Sequence, residues 1–382
     1  MKNIVQTNKK VLILSLLSIL ICSTQVSVAQ ESSKKSNNFQ IELRTNYGFF
    51  IHHHLEMTRF PARFPSFELS FQQATYGKKD WQAYFNYPII GITAYYSSLG
   101  NTDVIGQAVA LYPFINFPFN KSKINTVSFR FGVGLGYLTK KYDRHENFQN
   151  TSIGSHFNAA ISLSLEYRRR IAKRYDIAAF IGLTHFSNGS SRCPNNGINM
   201  AQCGLSAACL INEPQEYIPK RLSDNKQYKK WNLKTMSYYI GFSYSFKDID
   251  ECIGYDKTFS VYNLYVNIFK QISRLNKIGV GFDVAYDTSD KTALLYDGIS
   301  YSNDFQLIKT GINIAYELMM DNTSFIINMG YHITGKEMDG GKIYQKLSLK
   351  QNISKHLFAC IGLTTHFARA DYIGFGLGFK IN

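Results

Sequence analysis

The chain has 382 residues, with 42 Lys and Arg against 27 Asp and Glu, giving a formal charge of +15. Its 26 tyrosines and 28 phenylalanines accompany only two tryptophans and eight prolines. Beyond the first thirty residues no apolar run is long enough for a membrane helix, which excludes a helical membrane protein, whereas abundant aromatics and glycines with weak hydropathy suit strands that alternate lipid-facing and lumen-facing residues.

The chain opens MKNIVQTNKKVLILSLLSILICSTQVSVAQ, with Lys2, Lys9 and Lys10 before an apolar run from Val11 to Cys22 and small residues at Ser27 and Ala29. That order predicts a secretory signal over residues 1–29, cleaved after Ala29. Ile21 before Cys22 argues against lipoprotein processing, which wants a small residue there. The exported part starts near Gln30 and, without the three leader lysines, carries about +12. A basic exported surface meets anionic lipid or lipopolysaccharide phosphates rather than nucleic acid, so a membrane partner is expected and a nucleic-acid partner is not.

The stretch FQIELRTNYGFFI, residues 39 to 51, puts Phe39, Ile41, Leu43, Tyr47, Phe49 and Ile51 on one side and Gln40, Glu42, Arg44 and Asn46 on the other. Period two of this kind predicts a strand with one greasy and one wet face. Similar strands are predicted at about 66–75, 88–98, 103–118, 125–139, 152–169, 175–188, 235–246, 258–271, 277–287, 304–319, 323–334, 342–352, 357–367 and 371–381. Many reach the ten residues that a tilted strand needs to cross a membrane. A weak repeat orders them: each copy runs from a strand through a short basic turn, such as RRRIAKRY, into a strand and then a longer polar segment. The short turns therefore share one side and the long loops the other. Fifteen strands cannot close with both termini on one side, so one crossing is missing, with the break in parity falling between residues 246 and 258. The expected fold is all-β, an antiparallel transmembrane β-barrel of roughly 12–16 strands. It spans 30–382, with further barrel strands over 248–382.

Five cysteines remain beyond the leader: Cys193, Cys203, Cys209, Cys252 and Cys360. In an oxidising compartment Cys193 could bridge Cys203 or Cys209, with at least one thiol left over. The triplet His52, His53 and His54 makes a poor chelate, because adjacent residues on extended backbone alternate sides, and no metal site or other cofactor is expected. His366, in FACIGLTTHFARA, should point into the lumen as a structural residue. Residues Met200 to Trp231 are too long for a turn and are expected to cap the outer end or grip a sugar.

One strand breaks its own rule. In YDIAAFIGLTHFSN, Ile177, Ala179, Ile181 and Leu183 form the apolar row that His185 and Ser187 continue. Residues two apart on one face stand about 6 to 7 Å apart at the backbone, close enough for rotamers to bring imidazole to hydroxyl, so that the histidine can take the serine proton for attack on an ester.

The segment HFSNGSSRCPNNGIN resembles the signature of the PagL-like lipid A deacylases: a His, an aromatic, then Ser-Asn and a small residue, followed by Pro-Asn, a Gly and an aliphatic. These fall on His185, Phe186, Ser187, Asn188, Gly189, Pro194, Asn195, Gly197 and Ile198. YGKKDWQAYFNYP, ALYPFINFPF and FGVGLGYLTKKYDRHENFQNTSIGSHFNAAISL look like longer relatives termed acyloxyacyl hydrolases, so the resemblance covers roughly 40–247. It implies an outer-membrane serine esterase that removes an ester-linked acyl chain from lipid A, with lipopolysaccharide of the outer leaflet as its partner. Ser187 would be the nucleophile and His185 the general base, with Asn188, Gly189 and nearby amides binding the oxyanion. Asn199 stands where the family's characterised type has a catalytic glutamate. An asparagine can orient the imidazole through its carbonyl oxygen but supplies no charge. Glu146, Glu213 and Glu216 are the loop acids that could replace it. The alternative is a non-catalytic barrel, a pore or a scaffold, that kept the motif and lost the acid. Homo-oligomerisation is left open.

Overall fold

In β1 (Phe39–Phe50) every second residue is buried: Gln40, Glu42, Arg44, Asn46 and Phe50 point inward while Ile41, Tyr47 and Phe49 stand exposed. The wet face is thus the inner one, an arrangement that a sheet reaches only by closing on itself. The computed structural model describes residues 37–51, 63–120, 122, 124–219, 236–255, 257–338, 340–367 and 369–381. The expected signal, residues 1–29, and the triplet His52, His53 and His54 lie outside the described residues.

After β1 come β2 (Arg63–Ala74), a short helix α1 (Asp80–Tyr84), β3 (Ile89–Ser97), β4 (Ala108–Pro118), β5 (Asn125–Leu138), β6 (Phe157–Ala172), β7 (Tyr175–Ser187) and β8 (Ile198–Leu210). These eight strands pair antiparallel in chain order and close β8 on β1, with Thr45 opposite Leu205. A second closed barrel follows: β9 (Met236–Lys247), β10 (Phe259–Gln271), β11 (Asn276–Asp287), helix α2 (Asp290–Tyr296), β12 (Ile308–Met320), β13 (Thr323–Thr334), β14 (Ile343–Asn352), β15 (Leu357–His366) and β16 (Arg369–Ile381). It closes β16 on β9, with Phe375 opposite Tyr244. The β4–β5, β6–β7, β10–β11, β12–β13 and β14–β15 turns are short and share one end, as the repeat implied, but the β2–β3 connection at that end is long and carries α1, and at the other end β15 turns tightly into β16.

Sixteen strands agree with the upper end of the expected count, and the antiparallel all-β class is as expected. The missing crossing is β8, not a strand between 246 and 258, where the described residues between β9 and β10 hold a 3-10 turn at Asp250–Cys252. Its sequence INMAQCGLSAACL carries small residues on both faces, Ala201, Cys203 and Ala207 outward and Gly204, Ser206 and Ala208 inward, so period two has little contrast there. With β8 in place, residues 200 to 210 are strand and cannot cap the loop end. The sequence led to one barrel over 30–382, whereas the strands close as two, the first ending with β8 and the second beginning with β9, because closure depends on which distant strands pair. All five described cysteines are free. Cys193 is buried in the loop after β7 and Cys203 is exposed on the outer face of β8, so the expected bridge from Cys193 to Cys203 or Cys209 does not form.

Eight strands leave a lumen that side chains can fill. In the first barrel Arg130 donates to Glu42 Oε2 at 2.8 Å, to Ser70 at 3.0 Å and to Thr93 at 2.7 Å. Arg168 donates to Glu166 at 2.7 Å and also pairs with Glu42, and Arg44 pairs with Glu166. Three arginines thus meet Glu42, Glu68 and Glu166, so the buried charges are paired, although Arg44 Nε and Arg168 Nη1 make no hydrogen bond among the described residues. In the second barrel Lys350 pairs with Glu317 at 2.6 Å, and Glu317 also accepts from Tyr239 at 2.8 Å. His366 lies at the loop end of this lumen, its Nε2 3.6 Å from Asp371, in keeping with a structural role.

At the loop end of the first barrel the lumen turns apolar. Phe50, Phe64, Tyr95, Leu99, Tyr112, Leu138, Ile198 and Met200 pack around Phe186, which has no exposed surface. Phe186 therefore pins the end of β7 from inside, and its neighbours His185 and Ser187 must face out.

Candidate active site

Strand pairing sets His185 of β7 directly opposite Asn199 of β8. Their side chains meet on the outer wall, with His185 Nδ1 2.6 Å from Asn199 Oδ1. An amide oxygen only accepts, so Nδ1 carries the proton and Nε2 keeps its lone pair, the tautomer a general base needs. Gly197 (φ +76°) lets the chain turn back into β8 beside the ring; a Cβ there would come within 2.8 Å of His185 Cε1.

Ser187 ends β7 in the same outward row. Its Oγ accepts from the Gly189 backbone N–H at 3.2 Å and from Asn195 Nδ2 at 3.4 Å. Two donors thus converge on the hydroxyl from the loop that follows, one of them through the positive φ of Gly189, +61°. An oxyanion formed on a carbonyl attacked by Ser187 would arise within their reach.

The role expected of Asn188 is corrected by the loop geometry. As the next residue along a strand it points the other way from Ser187 and is buried; its Nδ2 donates to Ser155 Oγ at 2.9 Å and to the Arg192 carbonyl at 2.8 Å. Its backbone N–H donates to Asn195 Oδ1 at 2.9 Å. Asn188 thus holds the loop and orients Asn195, and the carboxamide aimed at Ser187 is that of Asn195. Asn195 stood inside the quoted motif, yet nothing in linear spacing shows which of two asparagines folds back over the serine.

The substitute acids lie elsewhere. Glu213 and Glu216 follow the far end of the thirteen-residue β8, on the order of 40 Å from His185 by strand rise. Glu146 is exposed in the loop between β5 and β6, where its backbone N–H bonds Asp143 at 2.9 Å. Asn199 is the group the fold places on the imidazole. Among the described residues no group of three or more His, Cys, Asp or Glu could hold a metal.

Below the site the outer wall is furrowed. The outward residues of β8 next to Asn199 are the small Ala201 and Cys203, flanked by Phe49 and Tyr47 of β1 and by Leu183 and Ile181 of β7. The hollow they floor holds about 1480 Å³, and its apolar lining continues the row that ends in His185 and Ser187.

Residues 66–208 match the family model described as lipid A 3-O-deacylase (PagL), and residues 235–382 match that of the C-terminal domain of acyloxyacyl hydrolase. No curated protein matches the chain. Among solved structures, the outer membrane enzyme PagL is 16% identical over 44% of this chain and 99% of its own, with a TM-score of 0.32. A mutant porin of Rh. blastica is 8% identical over 90% of this chain and 99% of its own, and the P. putida toluene transporter TodX 8% over 91% and 90%, both with a TM-score of 0.18. Likeness at such scores bears on neither fold nor function. The two consecutive family matches span both barrels, and the chain belongs to the PagL family of lipid A deacylases and acyloxyacyl hydrolases.

Proposed function

We propose that the protein is an outer-membrane serine esterase that removes an ester-linked acyl chain from lipid A. The observation that carries this reading is the His185–Asn199 pair beside Ser187 and its Gly189 and Asn195 donors, His185 and Ser187 two apart in one outward row at the head of an apolar furrow. A substrate dissolved in the outer leaflet has to be met on the barrel's outside, and an exposed apolar belt suits a wall in contact with lipid. Export through a cleaved leader, residues 1–29, belongs to the same proposal.

Ser187 Oγ attacks the ester carbonyl and passes its proton to His185 Nε2. The Gly189 N–H and Asn195 Nδ2 receive the negative charge that builds on the carbonyl oxygen. His185 returns the proton to the departing sugar oxygen, leaving an acyl group on Ser187, and then activates a water to release the fatty acid. Asn199 holds the ring through Nδ1 throughout. The chain being cut lies in the furrow floored by Ala201 and Cys203. No step calls on a metal.

A pore is less well supported, because both lumens are crossed by buried ion pairs. A non-catalytic scaffold rests on Asn199 alone. Purified full-length protein in detergent, mixed with lipopolysaccharide, should release free fatty acid, and Ser187→Ala should reduce release to background. Equal release from both proteins would end the serine-esterase reading.

A further inference from the structure

The loop that presents the oxyanion donors is held from outside its own barrel. Gly189 packs against Ile373 on the outer face of β16: a Cβ on Gly189 would meet Ile373 Cγ1 at 2.4 Å and Cδ1 at 2.5 Å. Ser190 next to it has φ +61°, a left-handed conformation that non-glycine residues rarely take. Both of its polar ends are tied to the second barrel. Its Oγ donates to the Ala370 carbonyl at 2.8 Å, and its carbonyl accepts from the Asp248 N–H at 2.8 Å. Asp248 Oδ2 then accepts from the Cys193 N–H at 3.2 Å, closing a clamp over residues 190 to 193. Asp248 is buried, 2% exposed, just past the end of β9.

We propose that the second barrel positions the oxyanion donors of the first, with Ile373 and Asp248 as positioning residues. The inference rests on the esterase reading above. The donor from Gly189 reaches Ser187 only while Gly189 and Ser190 keep their left-handed backbone. Within the first barrel the Ser191 N–H closes the turn on the Asn188 carbonyl at 3.2 Å, and the Asn188 and Asn195 side chains brace the loop on either side of it. The Ser190 side chain and carbonyl, and the face of Gly189, take their contacts from β16 and from the segment after β9. Donors displaced by an ångström stabilise a transition state far less than a bound ground state, so loosening the turn lowers kcat and spares KM.

The test uses full-length protein carrying Ile373→Ala, Asp248→Ala, Ile373→Val or, as a control on the same outward row, Leu377→Ala. Heat-modifiable migration on gels establishes that each barrel is closed. The Ala variants at 373 and 248 are expected to lose about ten- to a hundredfold in kcat on lipopolysaccharide with KM held within about twofold, Ile373→Val to regain most of it, and Leu377→Ala to match the parent. Trypsin cleavage after Arg192, followed by mass spectrometry, reads the clamp without reference to catalysis and should quicken by about tenfold in the two Ala variants. Unchanged cleavage overturns the proposal, and so does faster cleavage with unchanged kcat. A rise in KM alone also overturns it, since that assigns Ile373 to substrate contact. An inert parent protein overturns the esterase reading and the catalytic half of this one, while the cleavage rates still decide whether the second barrel holds the loop.

Discussion

At the scale of single residues, the mechanism proposed above makes Asn199 the residue that sets the level of activity. A carboxylate in its place would both orient His185 and stabilise the imidazolium formed as Ser187 gives up its proton; an amide does only the first. The 2.6 Å contact to Nδ1 shows the orienting half intact. Asn199→Glu should therefore raise kcat by roughly tenfold or more, and Asn199→Ala should lower it by a similar factor, both at nearly constant KM. Steady-state kinetics on lipopolysaccharide checks both. If Asn199→Glu is slower than the parent, the amide is fitted to some other role. The place of His185, Ser187 and Asn199 on the outer wall was legible in the sequence, because His-x-Ser interrupts an apolar row and the motif runs on to Asn199 without a gap; their catalytic roles belong to the proposal. Asn195 was not legible as a donor, because its approach to Ser187 depends on how the loop folds back on itself.

At the scale of elements, β7 and β8 supply the pair, and the small outward side chains of β8 supply the furrow. Ala201→Trp fills the furrow directly below Asn199, beside Leu183 and Phe49. It should cut kcat/KM for long-chain esters by about tenfold and leave short-chain esters nearly untouched, a loss of apolar burial rather than of chemistry. Equal losses on both chain lengths would argue that the furrow holds no acyl chain. The same small residues hid β8 in the sequence: a strand that carries Ala, Cys and Gly on both faces gives no alternation to read, although its neighbours β1 and β7 do.

Helix α2 gives this scale a pH test. Asp290 is buried, and Lys309, which donates to it at 3.0 Å, also donates to Glu337 at 2.7 Å. One ammonium thus serves two carboxyls, and burial, outweighing the Lys309 attraction, pushes the Asp290 carboxyl up to about 8. The folded chain holds a proton there that the unfolded chain has lost above its ordinary value near 4. By linkage, stability is greatest at the acid end of that window and falls as pH rises from about 4 to about 8. Asp290→Asn should flatten this slope. Urea unfolding of the detergent-solubilised protein across the window measures it, and a parent slope of opposite sign would contradict the assignment.

At the scale of the whole molecule, period two established strands and their two faces, but closure is a long-range matter. Each local pattern is as compatible with one wide barrel as with two of eight, and only the pairing of β8 with β1 and of β16 with β9 separates the cases. Two narrow barrels explain why the lumens are filled with ion pairs and why the candidate site lies on an outer wall. They also give the first barrel a neighbour whose wall reaches Gly189. The central claim is that this outer wall deacylates lipid A in the membrane. Mass spectrometry of lipid A from cells lacking the gene, and from those cells supplied with the parent chain or with Ser187→Ala, tests it most directly. The parent chain should yield lipid A lighter by one acyl group, with Ser187→Ala matching the deletion; identical acylation in all three would contradict it.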